Sequence, residues 1–112
     1  MGRSQEGMEE SVKGSELILT EEARLDILET ALWYERKREG LGEEFTLNLE
    51  ATFAKILRHP KLYVETLQGV RQVLTKRFPY RVVFYLDLGN KCIVLAVIHT
   101  SRNPTVWQGR IS

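Results

Sequence analysis

A chain of 112 residues has the length of a single domain and can bury one modest hydrophobic core. Its composition, with 43% hydrophobic and 28% charged residues, is typical of a globular protein and excludes a fibrous or low-complexity one. The longest uninterrupted apolar run, Cys92 to Ile98, is too short for a membrane-spanning helix. Cys92 is the only cysteine, which excludes an internal disulfide, and its apolar neighbours predict a buried, unreactive thiol. Since no secretory signal is recognisable, we expect the protein to act in the cytoplasm.

The formal net charge of +1 conceals an uneven distribution of charge along the chain. Residues 1–60 carry eight Lys and Arg against thirteen Asp and Glu, a net charge of −5. Residues 61–112 carry eight against two, a net charge of +6. A basic half of this kind favours an anionic partner, either a nucleic acid or an acidic protein segment.

The N-terminal segment differs in composition from the rest of the chain. Residues 1–15 contain almost no apolar side chains and have no periodicity, which predicts a disordered arm. Residues 16–112 should therefore form the single folded domain. Its first element is a short strand predicted at Glu16 to Leu19.

Two helices are predicted after this strand. Thr20 is a suitable N-cap for the first helix, which the basic residues 36–38 and the following Gly40 should end. The second is predicted from an apolar repeat that starts at Phe45 and continues up to Pro60. The loop between them is so short that the two helices should form an antiparallel hairpin.

Three strands are predicted in the second half, where the apolar pattern changes from a helical period to a strand period. They are Val70 to Arg77, Tyr80 to Asp87 and Cys92 to His99. Tight connections between them predict an antiparallel meander, and the last strand, apolar on both faces, should be central. The predicted fold is α+β in the order β-α-α-β-β-β, with the helical hairpin packed on one face of a mostly antiparallel sheet.

Basic side chains are predicted to gather at one end of this sheet. His99 ends the last strand, and Arg102 follows three residues later. Arg77 and Arg81 flank the turn between the first two meander strands, which antiparallel order places at the same end. Guanidinium groups at such spacing suit phosphate or carboxylate. The alternative is that these are solvated turn residues beside one structural histidine.

Three aromatic side chains outside the strands are candidates for a surface role. Trp107 follows a turn at Asn103-Pro104 and can fold back over the sheet end as a lid. Trp33 and Tyr34 lie on the first helix, whose apolar face other residues already supply. Either one of them points outward and marks a protein interface, or both wrap the edge of the core.

Motifs of metal and cofactor chemistry are absent from the sequence. It contains no phosphate-binding glycine loop, no hydrolase or zinc-protease motif and no metal-ligand spacing. His59 and His99 lie forty residues apart without the nearby carboxylates that a metal site needs. We therefore expect neither a metal ion nor a cofactor.

Four sequence blocks together resemble the ParE/RelE superfamily of bacterial type II toxins: ARLDILETALWYE, ILRHP, KRFPYRVVFYLD and VLAVIHTSRNPTVW. The resemblance runs from about Leu17 to Trp107. It implies the fold derived above and a cognate antitoxin that wraps and neutralises the toxin, as a toxin–antitoxin hetero-oligomer. It also implies a functional surface at the end of the sheet and on the adjoining C-terminal segment. We expect antitoxin contacts at Trp33 and Tyr34, and target contacts at Arg77, Arg81, Arg102 and Trp107.

The activity within this superfamily stays open among three alternatives. RelE-like members cleave messenger RNA on the ribosome, whereas ParE-like members are implicated in poisoning DNA gyrase. The strand VRQVLTKR lacks the alternating lysines of RelE-like enzymes, and Trp107, whose indole N–H is neither acid nor base at neutral pH, stands near their terminal tyrosine. A gyrase-directed toxin is therefore favoured. The alternatives are a ribonuclease with His99 and Arg81 as catalytic residues, and a degenerate toxin that only binds its antitoxin.

Overall fold

The computed structural model describes residues 16–66 and 69–110. Within these ranges the elements confirm the predicted α+β order and add a short third helix. Their bounds are β1 Glu16–Leu19, α1 Glu21–Lys37, α2 Leu41–Arg58, a 3-10 turn Pro60–Leu62, β2 Arg71–Leu74, β3 Tyr80–Leu86, β4 Lys91–His99 and α3 Thr105–Gln108. The predicted N-terminal arm lies outside the described residues. No helix in the described part of the chain is both long and apolar enough to cross a membrane.

The junction between β1 and α1 confirms the predicted helix start. The side-chain oxygen of Thr20 accepts a hydrogen bond from the backbone nitrogen of Ala23 at 3.1 Å, as an N-cap does. Its hydroxyl also donates to the carbonyl oxygen of Val94 at 3.0 Å. Glu21 and Glu22 add negative charge to the first turn, where the helix dipole favours it. One threonine therefore starts α1 and fixes that start against the centre of β4.

The helical hairpin forms as predicted, and α2 begins one turn earlier than its apolar repeat indicated. Gly40 reverses the chain with a φ of +88°, which glycine adopts without strain. The Glu35 carboxylate accepts hydrogen bonds from the backbone nitrogens of Gly40 (2.9 Å) and Gly42 (3.0 Å), so a side chain of α1 caps α2. A Cβ atom at Gly42 would lie 2.5 Å from the carbonyl oxygen of Ala31. Glycine therefore permits the close approach of the two helices.

The strands form one sheet in the order β1-β4-β3-β2. β1 is parallel to β4, and the remaining pairs are antiparallel, which confirms the predicted meander and the central position of β4. Side chains buried toward the helical hairpin include Phe45, Ile56, Phe84, Cys92 and Val94. Side chains buried on the opposite face include Val70, Val83, Leu95, Ile98 and Trp107. The predicted two-layer arrangement is incomplete, because α3 covers part of this second face.

β2 is shorter than the predicted strand Val70 to Arg77 and covers only Arg71–Leu74. The chain leaves the sheet at Thr75, whose hydroxyl donates to the carbonyl oxygen of Phe78. Pro79 lacks the backbone N–H that a continuing ladder would need. The segment between β2 and β3 is therefore a bend with its own side-chain hydrogen bond.

A β-bulge interrupts the pairing of β3 with β4. Val83 pairs with Ala96 and Phe84 pairs with Val94, so Leu95 is an extra residue in β4. Because side chains alternate between faces, the bulge reverses the alternation in the second half of β4. It therefore places His99 on the same face of the sheet as the helical hairpin.

The single cysteine lies in the core under the hairpin. Cys92 has no solvent-exposed surface, which confirms the predicted buried thiol. Burial raises the pKa of this thiol, and the nearby carboxylate of Asp87 raises it further. A neutral, inaccessible thiol is a poor nucleophile, so Cys92 serves packing.

Candidate functional site

An open groove lies between α1 and the ends of β3 and β4, at the end of the sheet where we expect the functional surface. We call it the aromatic groove, and its volume is about 360 Å³. Its lining residues are Glu29, Thr30, Trp33, Tyr34, Tyr80 and His99. One helix and two strand ends therefore bring three aromatic rings and an imidazole to one place.

The two aromatic residues predicted for α1 have different environments. Trp33 is 47% exposed, with the Lys37 ammonium 4.6 Å from its ring centre. Tyr34 instead packs into the core, with its ring centre 4.9 Å from that of Phe78 and 5.5 Å from that of Phe45. Burial raises the pKa of Tyr34, and so does neighbouring Tyr80. The predicted outward aromatic is therefore Trp33, and Tyr34 forms the floor beneath it.

His99 is held in one orientation and one tautomer. The backbone nitrogen of Ser101 lies 3.0 Å from Nδ1 of His99, and the Ser101 hydroxyl oxygen lies 2.8 Å from the same atom. A backbone N–H can only donate, so Nδ1 accepts and the neutral ring carries its proton on Nε2. The ring also packs edge-on against Tyr80, with 5.2 Å between ring centres. His99 therefore offers the groove a hydrogen-bond donor, and the lone pair that a general base needs is already engaged.

Arg81 lies on the opposite face of the sheet from His99. Tyr80 pairs with His99, and Arg81 pairs with Ile98, so alternation separates the two side chains. The guanidinium Nη1 of Arg81 donates to the side-chain oxygen of Gln72 at 2.9 Å. The structure therefore places His99 and Arg81, the two residues predicted for one catalytic site, on opposite faces of the sheet.

Arg77 lies at the helical hairpin. Its guanidinium is 2.7 Å from the carboxylate of Glu44, which also contacts Arg38 at 3.3 Å. The Arg77 hydrogen bond, followed by that of Arg38, lowers the pKa of Glu44. This exposed ion pair contributes little to stability, but it holds Arg77 against the first turn of α2.

Arg102 is the one residue of the predicted basic cluster that borders both faces. It lines a groove with His99 and a separate small pocket with Arg81, of about 130 Å³. Its backbone nitrogen donates to the carbonyl oxygen of His99 at 3.0 Å, which fixes the turn after β4. The predicted cluster of four is therefore divided. Arg102 shares one groove with His99 and another with Arg81, which lie on opposite faces, and Arg77 is held separately by Glu44.

Trp107 is buried as a lid over the sheet, which is one of the two roles considered for it, the other being a contact with the target. It is 1% exposed and packs against the face of the sheet that the hairpin leaves open. Its indole Nε1 is buried and has no hydrogen-bond partner among the described residues. A side chain that is so deeply buried offers little surface to a target, so the structure favours the lid interpretation of Trp107.

An ion pair that the sequence did not predict closes the edge of β4. β1 pairs with β4 only as far as Val94. Beyond Val94, the backbone of β4 therefore has no neighbouring strand on the side of β1, although it still pairs with β3 on its other side. The Asp26 carboxylate accepts from the backbone nitrogen of Val97 at 3.0 Å and from the Arg110 guanidinium at 2.8 Å. Arg110 also donates to the carbonyl oxygen of Leu95 at 3.0 Å. An aspartate within the apolar stretch of α1 was the only signal for this contact in the sequence.

Metal-binding groups are not found in the described ranges. No set of three or more His, Cys, Asp and Glu side chains there could hold a metal ion. The polar groups of the aromatic groove are Glu29, Thr30 and His99, together with two phenols.

A comparison with protein families decides where the chain belongs. Residues 17–104 match the model of the ParE toxin of the type II toxin–antitoxin system parDE. The chain belongs to the ParE toxin family. It is thus a ParE-type toxin of a toxin–antitoxin system, within the superfamily that its sequence blocks resembled.

Solved structures show the same fold at low sequence identity. A chain of the chromosomal ParDE toxin–antitoxin system of P. aeruginosa is 14% identical, with a TM-score of 0.69, and the match covers 78% of this chain and 97% of that one. The E. coli RelE toxin, in a mutant free form, is 19% identical, with a TM-score of 0.54 and coverage of 87% and 97%. A RelE mutant in complex with a RelB antitoxin peptide is 17% identical, with a TM-score of 0.52 and coverage of 89% and 97%. Among proteins with curated descriptions, none matches the sequence significantly.

Proposed function

We propose that this ParE-type toxin inhibits growth by acting on DNA gyrase and that a cognate antitoxin neutralises it. The environment of His99 favours gyrase over messenger RNA as the target. A ribonuclease needs a base and an acid beside cations that stabilise the charge of the reacting phosphate. Here Nδ1 of His99 accepts from Ser101 and Arg81 lies on the other face of the sheet, so Arg102 is the one member of the predicted basic cluster that shares a groove with His99. This arrangement supports a toxin that binds its target without proton transfer at His99.

The proposed target-binding surface is the face that carries Arg81 and Arg102. Both arginines line one pocket at the end of the sheet. Arg81 is oriented by Gln72, whereas Arg102 is exposed and belongs to the turn after β4. Two arginines side by side suit carboxylate or phosphate groups of a protein–DNA complex. Arg77, held by Glu44, has a lesser role in this proposal.

The proposed antitoxin-binding surface is the aromatic groove with the outer side of α1. Trp33 is half-exposed there, and Leu25, Leu28 and Leu32 are each about as exposed along the same helix. Apolar side chains one helical turn apart suit an apolar peptide segment. The complex of RelE with a RelB peptide is consistent with peptide binding on this fold, and we extend it to this chain.

Growth rescue tests this proposal in cells. Expression of the chain should arrest growth, and co-expression with the product of the neighbouring gene should relieve the arrest. Trp33→Ala should still be toxic but should be relieved less by the antitoxin, because the mutation removes its aromatic contact. Leu88→Ala is the matched control, since Leu88 is fully exposed in the turn at the other end of the sheet. With purified proteins, an antitoxin present at 100 times its Kd should stabilise the toxin by about 2.7 kcal/mol.

Two outcomes of this experiment would contradict the proposal. Absence of growth arrest with soluble, folded protein would indicate a degenerate toxin that only binds its antitoxin. Cleavage of translated messages, mapped by primer extension in the arrested cells and lost in His99→Ala, would indicate the RelE-like ribonuclease instead.

A further inference from the structure

A second groove lies along α2, on the side where the bend between β2 and β3 meets the helix. We call it the basic groove, and its volume is about 400 Å³. Its lining residues are Asn48, Ala51, Thr52, Ala54, Lys55, Arg58 and Lys76. None of these residues borders the aromatic groove or the Arg81–Arg102 pocket, so the basic groove is a separate surface.

The groove concentrates positive charge without a matching carboxylate. Lys55 and Arg58 come from the last turns of α2, and Lys76 comes from the facing bend. Within the described residues, none of the three makes an ion pair, whereas Arg77, next to Lys76, is bound by Glu44. Basic residues at a helix C-terminus also suit the helix dipole, but this does not account for Lys76, which lies on another element.

The shape of the groove also leaves room for a ligand. Two alanines, Ala51 and Ala54, leave space between the basic side chains. The side-chain oxygen of Asn48 is buried and accepts no hydrogen bond from the described residues, but an amide oxygen can only accept, so this atom does not bind an anion. Anion binding in this groove therefore depends on the three cations.

We propose that the basic groove binds phosphate groups of a DNA backbone. Lysine ammonium groups act as point charges toward phosphate, and Arg58 adds a planar donor group. Among the described residues no aromatic side chain lines the groove, so they offer no surface on which a free nucleotide could stack its base. Alanine is the only apolar residue type that they contribute, so an acidic peptide would find no large apolar anchor there. The choice of DNA rests on the proposed function, because gyrase presents DNA to any protein that binds its complex.

Binding of this kind should be independent of base sequence and strongly dependent on salt. Three cations that neutralise three phosphates of duplex DNA give a slope of about −2.7 in log affinity against log salt. Raising the salt from about 50 to about 200 mM should therefore weaken binding about 40-fold. Each cation that is removed should reduce the slope by about one.

Fluorescence anisotropy of a labelled, blunt duplex with the full chain tests the proposal. The wild type should bind two unrelated sequences equally and should show the slope given above. The triple variant Lys55→Gln/Arg58→Gln/Lys76→Gln should lose nearly all salt-dependent binding. A control with the same change in charge is Arg24→Gln/Arg36→Gln/Lys91→Gln, which removes three exposed cations from α1 and β4 and should bind as the wild type does.

Competition experiments identify the source of the anion. Duplex DNA should compete fully, whereas inorganic phosphate at equal phosphate concentration and a poly-glutamate peptide should compete poorly. The proposal would be overturned if the triple variant bound duplex DNA as well as the wild type does. It would also be overturned if the control variant lost as much binding as the triple variant. Stronger competition by poly-glutamate would assign the groove to an acidic protein instead. A wild type that traps gyrase but binds no duplex would refute this inference alone, and one that binds duplex without trapping gyrase would refute the proposed function.

Discussion

Trp107→Ala should lower the free energy of unfolding by about 3–5 kcal/mol, the usual cost of removing a large aromatic side chain from a core. Trp107 is the largest fully buried side chain among the described residues and covers Val70, Leu95 and Ile98. Its removal leaves a cavity that a helix of four residues cannot close. A typical domain has about 5–15 kcal/mol of stability, so this variant should retain little of it. Urea unfolding followed by circular dichroism measures the change.

Two further variants make this first prediction specific. Trp107→Phe keeps most of the buried volume and removes the indole N–H, which has no partner in the described part of the chain, so this variant should lose much less stability. Trp33→Ala removes a half-exposed tryptophan and should change stability little. A loss for Trp107→Ala no larger than that for Trp33→Ala would show that Trp107 does not close the core.

Asp26→Ala should have the second largest effect, a loss of about 2–4 kcal/mol. The carboxylate binds Arg110 and the backbone nitrogen of Val97, and the side chains of the ion pair are only 17% and 19% exposed. Removing Asp26 leaves the largely buried guanidinium of Arg110 without its carboxylate and the backbone N–H of Val97 without its acceptor. The same urea titration measures the loss.

The double variant Asp26→Ala/Arg110→Ala separates the ion pair from the backbone contact. It removes both charges, so it should be less destabilised than the sum of the two single variants. The stability that the double variant still loses measures the cost of leaving the backbone N–H of Val97 without an acceptor at the edge of β4. Additive losses would mean that the two side chains do not stabilise each other and would contradict the role given to them.

The helices and strand order could be predicted because their signals are local. Thr20 caps α1 through an atom of its own side chain, and Gly40 adopts a left-handed conformation in the turn immediately before α2. Alternation and tight turns predicted the antiparallel meander. The prediction for β2 was too long, because the hydrogen bond that ends it joins Thr75 to a carbonyl beyond the strand.

The candidate site was predicted less well because its geometry depends on tertiary pairing. Antiparallel order correctly placed Arg81 and His99 at one end of the sheet, but the predicted cluster ignored the alternation of faces that separates them. The bulge at Leu95 has no signal in the sequence, although it decides that His99 faces α1. The contact between Asp26 and Arg110 spans 84 positions, and no local pattern predicts a pair at that distance.

We propose that this toxin acts by binding gyrase, without chemistry at His99. The direct measurement is the amount of cleaved plasmid DNA recovered, after detergent and protease treatment, from gyrase incubated with the purified chain. The wild type should increase cleaved DNA, His99→Ala should do so equally, and Arg81→Gln/Arg102→Gln should do so several-fold less at unchanged stability. No increase with the folded wild type, or an increase abolished by His99→Ala alone, would contradict the claim.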